Sequence, residues 1–242
     1  CLSPDRITAE RRKRFKNEIG FCQSTLHRNI VRVLDTGILS LKGVMCPFYV
    51  MPKCKGTLRS LIASTPATQV IALFAQVLDG VEAAHKLDVW HRDLKPENIL
   101  WDGSSLVIAD FGIAHFEEEA IYTAVETKVA SRMANFMYSA PEQRARGASV
   151  DRRADVFSLG LILNEMFTHE VPQGAGYRTI GSVAPNFAYL DPIVERMIQS
   201  SAERRYQSID EIKCDLIGHR NAYVAQQRLD EATRQVVASA AP

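Results

Sequence analysis

The stretch NILWDGSSLVIAD, from Asn98 to Asp110, constrains the fold of this chain more than any other. It contains two short apolar runs, NILW and LVIAD, that are separated by DGSS. An Asp-Gly pair between two apolar runs is a strong signal for a tight β-hairpin. Pairing the runs across that turn brings Asn98 and Asp110 together at the open end of the hairpin. The sequence therefore predicts an amide oxygen and a carboxylate side by side.

Oxygen ligands of this kind suit a hard divalent cation. Mg²⁺ is usually bound in proteins by a small number of such ligands, and substrate phosphates complete its coordination. Asp93 and Lys95 lie just before the hairpin, on the loop HRDLKPEN that leads into it, and both can face the same cation and its phosphates. The pattern predicts a phosphate-handling magnesium site with Asn98 and Asp110 as metal ligands.

Composition favours no nucleic-acid or membrane partner. The chain has 29 basic and 28 acidic side chains, so its formal net charge of +1 indicates no preference for a polyanion or an anionic bilayer. The five cysteines are odd in number and lack metal-ligand spacing, which predicts free thiols in a reducing compartment. No apolar run has the length needed to span a bilayer. We expect a cytoplasmic protein without a membrane span.

Hydrophobic periodicity predicts a small strand-containing lobe followed by a larger helical one. Helices are predicted at residues 8–26, 68–85, 154–168, 192–200 and 208–217, and strands at residues 30–39 and 44–51. The run ADVFSLGLILNEMFT (154–168) is apolar on nearly every side, so it should be a buried central helix. The polar link KCKG (53–56) marks the predicted boundary between the lobes.

Three motifs, taken in order, resemble those of the eukaryotic-like (Hanks-type) protein kinases. HRDLKPEN is similar to the catalytic loop, DFG at 110–112 to the metal-binding motif and APE at 140–142 to the end of the activation segment. The resemblance implies an α+β, bilobal protein-kinase-like fold with a truncated N-lobe and a mainly helical C-lobe. The implied domains are a partial N-lobe (1–52), a C-lobe (53–219) and a helical or flexible tail (220–242).

The resemblance also implies a role for each polar residue near the hairpin. Asp93 would accept the proton of the substrate hydroxyl, and Lys95 would neutralise charge on the γ-phosphate. Asn98 and Asp110 would bind Mg²⁺. The implied cofactors are ATP and Mg²⁺, and the implied partners are protein substrates. Their serine and threonine hydroxyls are the expected acceptors, because the lysine two places after Asp93 is typical of serine/threonine kinases.

An adenine site between the lobes follows from the same resemblance. Met51 would be the gatekeeper residue at the back of that site. Pro52 and Cys54 would offer the hinge carbonyl and N–H to the base, and Leu100 would form the floor beneath the ring. Glu18 matches the glutamate of the family's helix C, so it completes the predicted cofactor-binding set.

Glu18 is predicted on the inward face of its helix, with Phe15 and Cys22 on the same side. A carboxylate turned toward a core is costly unless a cation meets it. In the resembling family that cation is the lysine of strand three, which also holds the α- and β-phosphates. These 242 residues contain neither that lysine nor a GxGxxG motif. We expect a fragment of a longer kinase in preference to a natural truncation, with weak catalysis by these residues alone.

Several residues are predicted to play supporting roles. His91 should pack against Phe111, and Asp155 should cap backbone N–H groups at the start of its buried helix. Glu142 and Arg205 resemble an ion pair that stabilises the larger lobe. In the segment between DFG and APE, phosphorylation is expected to act through Arg92; the candidate acceptors there are Thr123, Thr127 and Ser131.

Three functions stay open on the sequence alone. The first is an ATP- and Mg²⁺-dependent serine/threonine protein kinase, which the intact Asp93, Asn98 and Asp110 favour. The second is a pseudokinase-like scaffold that binds partner proteins, which the missing lysine favours. The third is a small-molecule phosphotransferase of kinase-like fold. The APE motif and the long segment before it argue against the third, because they serve protein substrates.

Overall fold

The fold is known from a computed structural model, which describes residues 1–4, 7–111, 136–145, 147–174 and 176–239. The N-terminal part consists of α1 (Ala9–Ser24), β1 (Asp35–Leu41) and β2 (Val44–Val50). The next elements are β3 (Gly56–Thr57), α2 (Leu58–Ile62), α3 (Ala67–His85), β4 (Ile99–Trp101) and β5 (Leu106–Ile108). The last are α4 (Pro141–Arg144), α5 (Arg153–Thr168), α6 (Ile180–Val183), α7 (Asp191–Met197) and α8 (Ile209–Ser239). Short 3₁₀ turns occur at Pro96–Asn98, Pro185–Leu190 and Ala202–Arg204.

Helix α1 is shorter than its apolar pattern predicts. It begins after Thr8, whose side-chain oxygen accepts a hydrogen bond from the Arg11 backbone N–H at 3.1 Å, a normal N-cap. It ends before Thr25, whose backbone is extended. The prediction that Leu26 continues the apolar face is therefore wrong, and Leu26 is 83% exposed. The inward face is real nonetheless, because Cys22 is buried.

Strands β1 and β2 form an antiparallel hairpin in which Asp35 pairs with Val50 and Leu41 with Val44. The turn is Lys42-Gly43, and both residues have positive φ angles, as the tightest hairpin turns require. The predicted strand at residues 30–39 is correct only from Asp35 onward. The earlier apolar residues instead join the other sheet, where the Val31 N–H donates to the Ile108 carbonyl at 2.9 Å.

The predicted hairpin around Asp-Gly is confirmed. Strands β4 and β5 pair antiparallel with Ile99 opposite Ile108, and β3 adds to the other edge of β4. Asp102 stabilises the turn, because its Oδ1 accepts the backbone N–H groups of Ser104 and Ser105, each at 2.7 Å. This sheet sits at the junction between the N-terminal part and the helical part.

The core of the larger lobe is built around α5, whose residues are almost all buried, as its composition predicts. Helices α3 and α7 pack on it. Gly80 lets α3 approach the sheet closely, because a Cβ there would lie 2.6 Å from the Asn29 carbonyl oxygen. The sheet and the central helix are therefore fixed relative to each other by direct packing.

The predicted ion pair between Glu142 and Arg205 is confirmed, and its geometry is bidentate at 2.6 and 2.8 Å. Arg205 is only 1% exposed. Its remaining donors reach backbone carbonyls of Gln199, Arg153 and Ser200. A guanidinium has five N–H groups, and all five have an acceptor here. Such complete pairing is what makes a buried cation tolerable.

Helix α8 runs without interruption from Ile209 to Ser239. The sequence predicted a helix at 208–217 and a separate helix-prone tail, but the two are one element, and the predicted boundary at residue 219 lies inside it. Near the middle of this helix, the ring of Tyr223 packs against that of Tyr189, with 5.4 Å between the ring centroids. In the part of the chain that is described, no helix combines the length and apolarity needed to cross a bilayer.

Candidate active site

The backbone of the loop before β4 is held by one buried carboxylate. Asp155, which is fully buried in α5, accepts the backbone N–H of His91 at 2.9 Å and that of Arg92 at 2.7 Å. It also contacts His85 Nε2 at 2.8 Å. These contacts support Arg92 in a left-handed conformation, φ 63°, which costs energy for a residue with a side chain.

Asp155 therefore differs from its prediction in one respect. It does accept backbone N–H groups, but they belong to the catalytic loop and not to the start of its own helix. Asp151 serves that helix instead, because its Oδ1 accepts the Arg153 N–H at 2.8 Å. Burial raises the pKa of the Asp155 carboxyl, but the hydrogen bond and charge of His85 outweigh burial, and the net pKa lies below the usual range.

His91 has the supporting role that its sequence context predicts. Its ring lies 4.9 Å from that of Phe111. Its Nε2 is 2.9 Å from the Ala109 carbonyl oxygen, so Nε2 is the donor, and Nδ1 accepts the Asp93 backbone N–H at 3.3 Å. Both nitrogens are thus used in holding the loop, and the neutral ring with its proton on Nε2 satisfies both contacts.

Three predicted site residues meet on this loop. Lys95 Nζ donates to Asp93 Oδ2 at 2.8 Å. Asn98 Nδ2 donates to the Asp93 carbonyl at 2.8 Å and to the same Oδ2 at 3.2 Å. Asn98 is buried, whereas the Asp93 side chain is 41% exposed. The contacts fix one carboxylate oxygen of Asp93 and leave the other, Oδ1, outside them.

The position of Asp110 follows from the hairpin register. The Ala109 N–H donates to the Asn98 carbonyl at 2.9 Å, so Ala109 is the residue directly opposite Asn98 and Asp110 lies one position further along. Asp110 therefore lies beside the residue opposite Asn98, at the open end of the hairpin, as the sequence predicts. Asp110 is exposed and has φ 56°, a left-handed conformation at the point where the strand has ended.

The predicted hinge lies beside the same sheet. The Lys55 N–H donates to the Trp101 carbonyl at 2.7 Å, and Thr57 pairs with Leu100, so the residues directly after the hinge run next to β4. Cys54 Sγ lies 3.7 Å from the Pro52 carbonyl. Among the described residues, no backbone–backbone hydrogen bond uses the Cys54 N–H or the Pro52 carbonyl. Met51 is 37% exposed at the start of this segment.

Glu18 points inward, as predicted, but a hydroxyl meets it there. Tyr49 donates to Glu18 Oε1 at 3.3 Å, and the Tyr49 ring stacks on Phe15 at 5.4 Å. Burial raises the pKa of the Glu18 carboxyl to about 7, and the negative charge of Asp110 adds to the effect.

Several predictions concern residues outside the described part of the chain. They include Gly112 of DFG and the segment that holds the candidate phosphorylation sites Thr123, Thr127 and Ser131. Arg92, the residue expected to bind a phosphate there, is described. Its guanidinium lies 4.9 Å from the Trp90 ring, and its Nη2 is 3.4 Å from the Val150 carbonyl.

Sequence reasoning missed one polar cluster beside the catalytic loop. Arg59 of α2 donates to Glu97 at 2.7 Å and to the Tyr138 hydroxyl at 2.6 Å, and it also bonds Glu165. Tyr138 in turn donates to Glu165. The four residues come from four separate segments, and no local pattern signals that they meet. The KPEN motif contains Glu97, but its partner lies 38 residues away.

Comparisons with known proteins agree with this geometry. The chain matches the protein kinase domain family over residues 1–231. It is 33% identical over 223 residues to the serine/threonine-protein kinase PknB of Mycobacterium leprae, which covers 84% of this chain and 35% of that protein. It is 31% identical to a probable serine/threonine-protein kinase of Clostridium acetobutylicum, with 87% and 34% covered. The chain spans about a third of the length of these relatives.

The fold has a solved counterpart in the PknI kinase domain of Mycobacterium tuberculosis. That crystal structure has a TM-score of 0.64 and 25% identity to this chain, and the match covers 88% of this chain and 80% of the PknI domain. The predicted α+β bilobal kinase fold is thereby confirmed. The predicted class, a transferase of the serine/threonine protein kinase type, is confirmed at the level of the family and its named relatives. The chain belongs to the protein kinase family.

Proposed function

We propose that this domain transfers the γ-phosphate of ATP to serine and threonine hydroxyls of protein substrates in the cytoplasm. Protein kinases generally use ATP and Mg²⁺. The observation that carries the proposal is the arrangement around Asp93, whose carboxylate is held by Lys95 and Asn98 through one oxygen. A structural loop would have no need to orient a half-exposed carboxylate from two sides.

The proposed chemistry assigns a separate task to each oxygen of Asp93. Oδ2 is occupied by Lys95 and Asn98, so Oδ1 accepts the proton of the substrate hydroxyl. The hydroxyl oxygen forms a bond to the γ-phosphorus, and the bond between that phosphorus and the leaving oxygen of ADP breaks. Lys95 Nζ, which is 2.8 Å from Oδ2, offers positive charge to the transferring phosphoryl group.

The donor chemistry of Asn98 and Asp110 fits Mg²⁺. Asn98 uses its Nδ2 on Asp93, so its oxygen is the atom that a cation would meet. Asp110 is exposed at the end of the neighbouring strand. One amide oxygen and one carboxylate, with phosphate oxygens as further ligands, form an ordinary magnesium set. When bound, Mg²⁺ would neutralise phosphate charge.

We place the adenine against the hinge and β4. The Pro52 carbonyl and the Cys54 N–H are the proposed hydrogen-bonding groups, because the described backbone makes no other use of them. Leu100 is half-buried on β4, the strand that pairs with the residues after the hinge, and it is the proposed floor of the site. Met51 is the proposed gatekeeper at the start of the hinge, and Glu18 completes the proposed cofactor-binding set.

The domain limits suggested by the sequence are part of the same proposal. The site would lie between a partial N-lobe (1–52) and a C-lobe (53–219), with residues 220–242 as a helical extension. The support is local: β2 ends at Val50, and the Lys55 N–H already bonds Trp101 of the second sheet. Residues 51–54 are therefore the short connection between the two parts.

A protein-binding scaffold is the second candidate, and Glu18 favours it. Within the described residues the contact of its carboxylate is a tyrosine hydroxyl at 3.3 Å, whereas a nucleotide-organising glutamate would be expected to meet a cation. A scaffold would keep the fold and engage partners without phosphoryl transfer.

Transfer of radiolabelled phosphate distinguishes the two candidates. The chain is incubated with γ-labelled ATP, Mg²⁺ and a general protein acceptor such as casein, followed by phosphoamino acid analysis. We expect label on serine or threonine, and a loss of at least about 100-fold in Asp93→Asn, the size typical of a missing general base. The matched control is Asp88→Asn, an exposed position outside the site whose φ of 53° asparagine also tolerates.

Transfer by the wild type and Asp88→Asn, but not by Asp93→Asn, supports the kinase. Equal labelling by all three proteins would point to a contaminating enzyme and remove the proposal. Absence of labelling in the wild type, with the protein folded, would favour the scaffold.

A further inference from the structure

The Arg59 cluster lies between the catalytic loop and the core of the larger lobe. It consists of Arg59, Glu97, Tyr138 and Glu165. Arg59 belongs to the five-residue helix α2, and its side chain is 37% exposed. Glu97 is on the catalytic loop and is 39% exposed, whereas Glu165 is in the central helix and only 5% exposed. The guanidinium therefore joins a loop at the surface to a carboxylate inside the protein.

Each hydrogen bond of the cluster has a defined donor and acceptor. Arg59 donates from Nε to Glu97, from Nη1 to Glu165 and from Nη2 to the Tyr138 oxygen. The Tyr138 hydroxyl uses its proton on the other Glu165 oxygen. A planar fork of donors can satisfy such an arrangement, whereas the single ammonium of lysine can reach only part of it.

Glu97 has few alternatives to this contact. In the described part of the chain Arg59 is its cationic partner, and the second carboxylate oxygen of Glu97 is buried without a hydrogen bond. Asn98 follows Glu97 directly and donates to both the carbonyl and the carboxylate of Asp93. A displacement of Glu97 would therefore move the adjoining Asn98, and with it Asp93, the proposed base.

We propose that Arg59 is a positioning residue for the catalytic loop, which it ties to the core of the larger lobe through Glu97 and Glu165. The proposal rests on the proposed phosphotransfer function. Arg59 acts through Glu97 on the placement of the reacting groups and contacts neither the nucleotide nor the acceptor. Its loss changes the rate of transfer more than the binding of substrates, because near-attack geometry is sensitive to small displacements.

Glu97→Gln is the most informative variant, because it removes the charged tie to the loop while Arg59 keeps its bonds to Glu165 and Tyr138. Arg59→Gln removes the three hydrogen bonds of the guanidinium, and Arg59→Lys keeps the positive charge without the planar set of donors. The matched control is Arg28→Gln, which breaks an exposed ion pair with Asp79 at 3.0 Å. The measurements are kcat and KM for ATP and acceptor, made well below each variant's melting temperature.

We expect kcat to fall about tenfold in Glu97→Gln and in Arg59→Gln, with each KM within about threefold of wild type. The double variant should be no slower than the slower single variant, since both act through one contact. Arg59→Lys should recover part of the loss, and Arg28→Gln should match wild type. A kcat within twofold of wild type in Glu97→Gln, or additive losses in the double variant, would overturn the proposal.

Hydrogen exchange keeps the test separate from the proposed function. If the wild type transfers no phosphate, amide exchange of residues 91–101 is compared between wild type and Glu97→Gln. Protection of this loop should fall about tenfold while α5 keeps its protection, because only the loop loses its ion pair with Arg59. Unchanged protection of the loop, or an equal loss in both segments, would contradict a positioning role for Arg59.

Discussion

Two inward-facing carboxylates, Asp155 and Glu18, are supported very differently. Asp155 accepts two backbone N–H groups of the catalytic loop and contacts His85, and its pKa is lowered in spite of complete burial. Glu18 has a tyrosine hydroxyl at 3.3 Å, and its pKa is raised to about 7. The fold favours the charged form of Asp155, whereas it favours the protonated form of Glu18.

The difference shows which of the two carboxylate charges the fold supports. The catalytic loop and the central helix are joined by direct hydrogen bonds, and the left-handed Arg92 is supported by the buried Asp155 carboxylate. Helix α1 contributes a carboxylate whose charge is weakly compensated by the residues described. Removing the charge of Asp155 should therefore destabilise the fold, whereas removing the charge of Glu18 should stabilise it.

The largest effect is expected for Asp155→Ala. Three donors would lose their acceptor inside the protein, which should lower the free energy of unfolding by roughly 3–5 kcal/mol. Urea denaturation followed by circular dichroism measures this loss. The matched control is Asp151→Ala just before the same helix, where loss of the contacts to the Arg153 N–H and side chain should cost about 1 kcal/mol. Equal losses in the two variants would show that Asp155 has no special role as a loop anchor.

The sequence predicts the Asp155 side of the comparison well, because short-range patterns specify it. The Asp-Gly turn fixes the β4–β5 hairpin, and the apolar run around Asp155 fixes the central helix. The pairing of Ile30 with Ile108 was missed because an apolar run does not specify its partner strand.

The polar contacts between residues far apart in the chain could not be predicted from sequence patterns. Arg59 meets Glu165 across 106 positions of the chain, and nothing in its five-residue helix indicates that contact. Glu142 and Arg205 are also far apart, at 63 positions, but the family resemblance supplied their pairing. The inward orientation of Glu18 followed from helical periodicity, whereas its contact with Tyr49 depended on how the β1–β2 hairpin packs on α1.

A smaller effect of opposite sign is expected for Glu18→Gln. A carboxyl whose pKa is raised from 4.5 to about 7 stabilises the fold fully below pH 4.5, and this contribution is lost as the pH rises through 7. Without nucleotide or metal, the glutamine variant should thus be more stable than wild type by up to about 3 kcal/mol at pH 8. The advantage should shrink steadily as the pH is lowered toward 4.5.

Denaturation curves at several pH values between 5 and 8 test this sign. Glu195→Gln, an exposed substitution on α7, serves as the control and should not follow the same trend. A Glu18→Gln protein that is less stable than wild type at pH 8 would mean that the glutamate is well compensated. The contrast with Asp155 would then disappear.

The smallest effect is expected for Tyr49→Phe. It removes one long hydrogen bond to Glu18 and keeps the ring that stacks on Phe15, so unfolding should become easier by only about 0.5–1 kcal/mol. A loss above about 2 kcal/mol would show that Tyr49 stabilises Glu18 as strongly as the loop donors stabilise Asp155.

The most direct test of a preformed nucleotide and metal site is a thermal-shift titration with ATP and Mg²⁺, on wild type and Asp110→Asn. A ligand that binds only the folded state stabilises it by about 2.7 kcal/mol at 100 times its Kd. We predict that the wild-type melting temperature rises with ATP when Mg²⁺ is present, and that Asp110→Asn loses the part of the rise that depends on Mg²⁺. An unchanged melting temperature at millimolar ATP and Mg²⁺ would contradict the site.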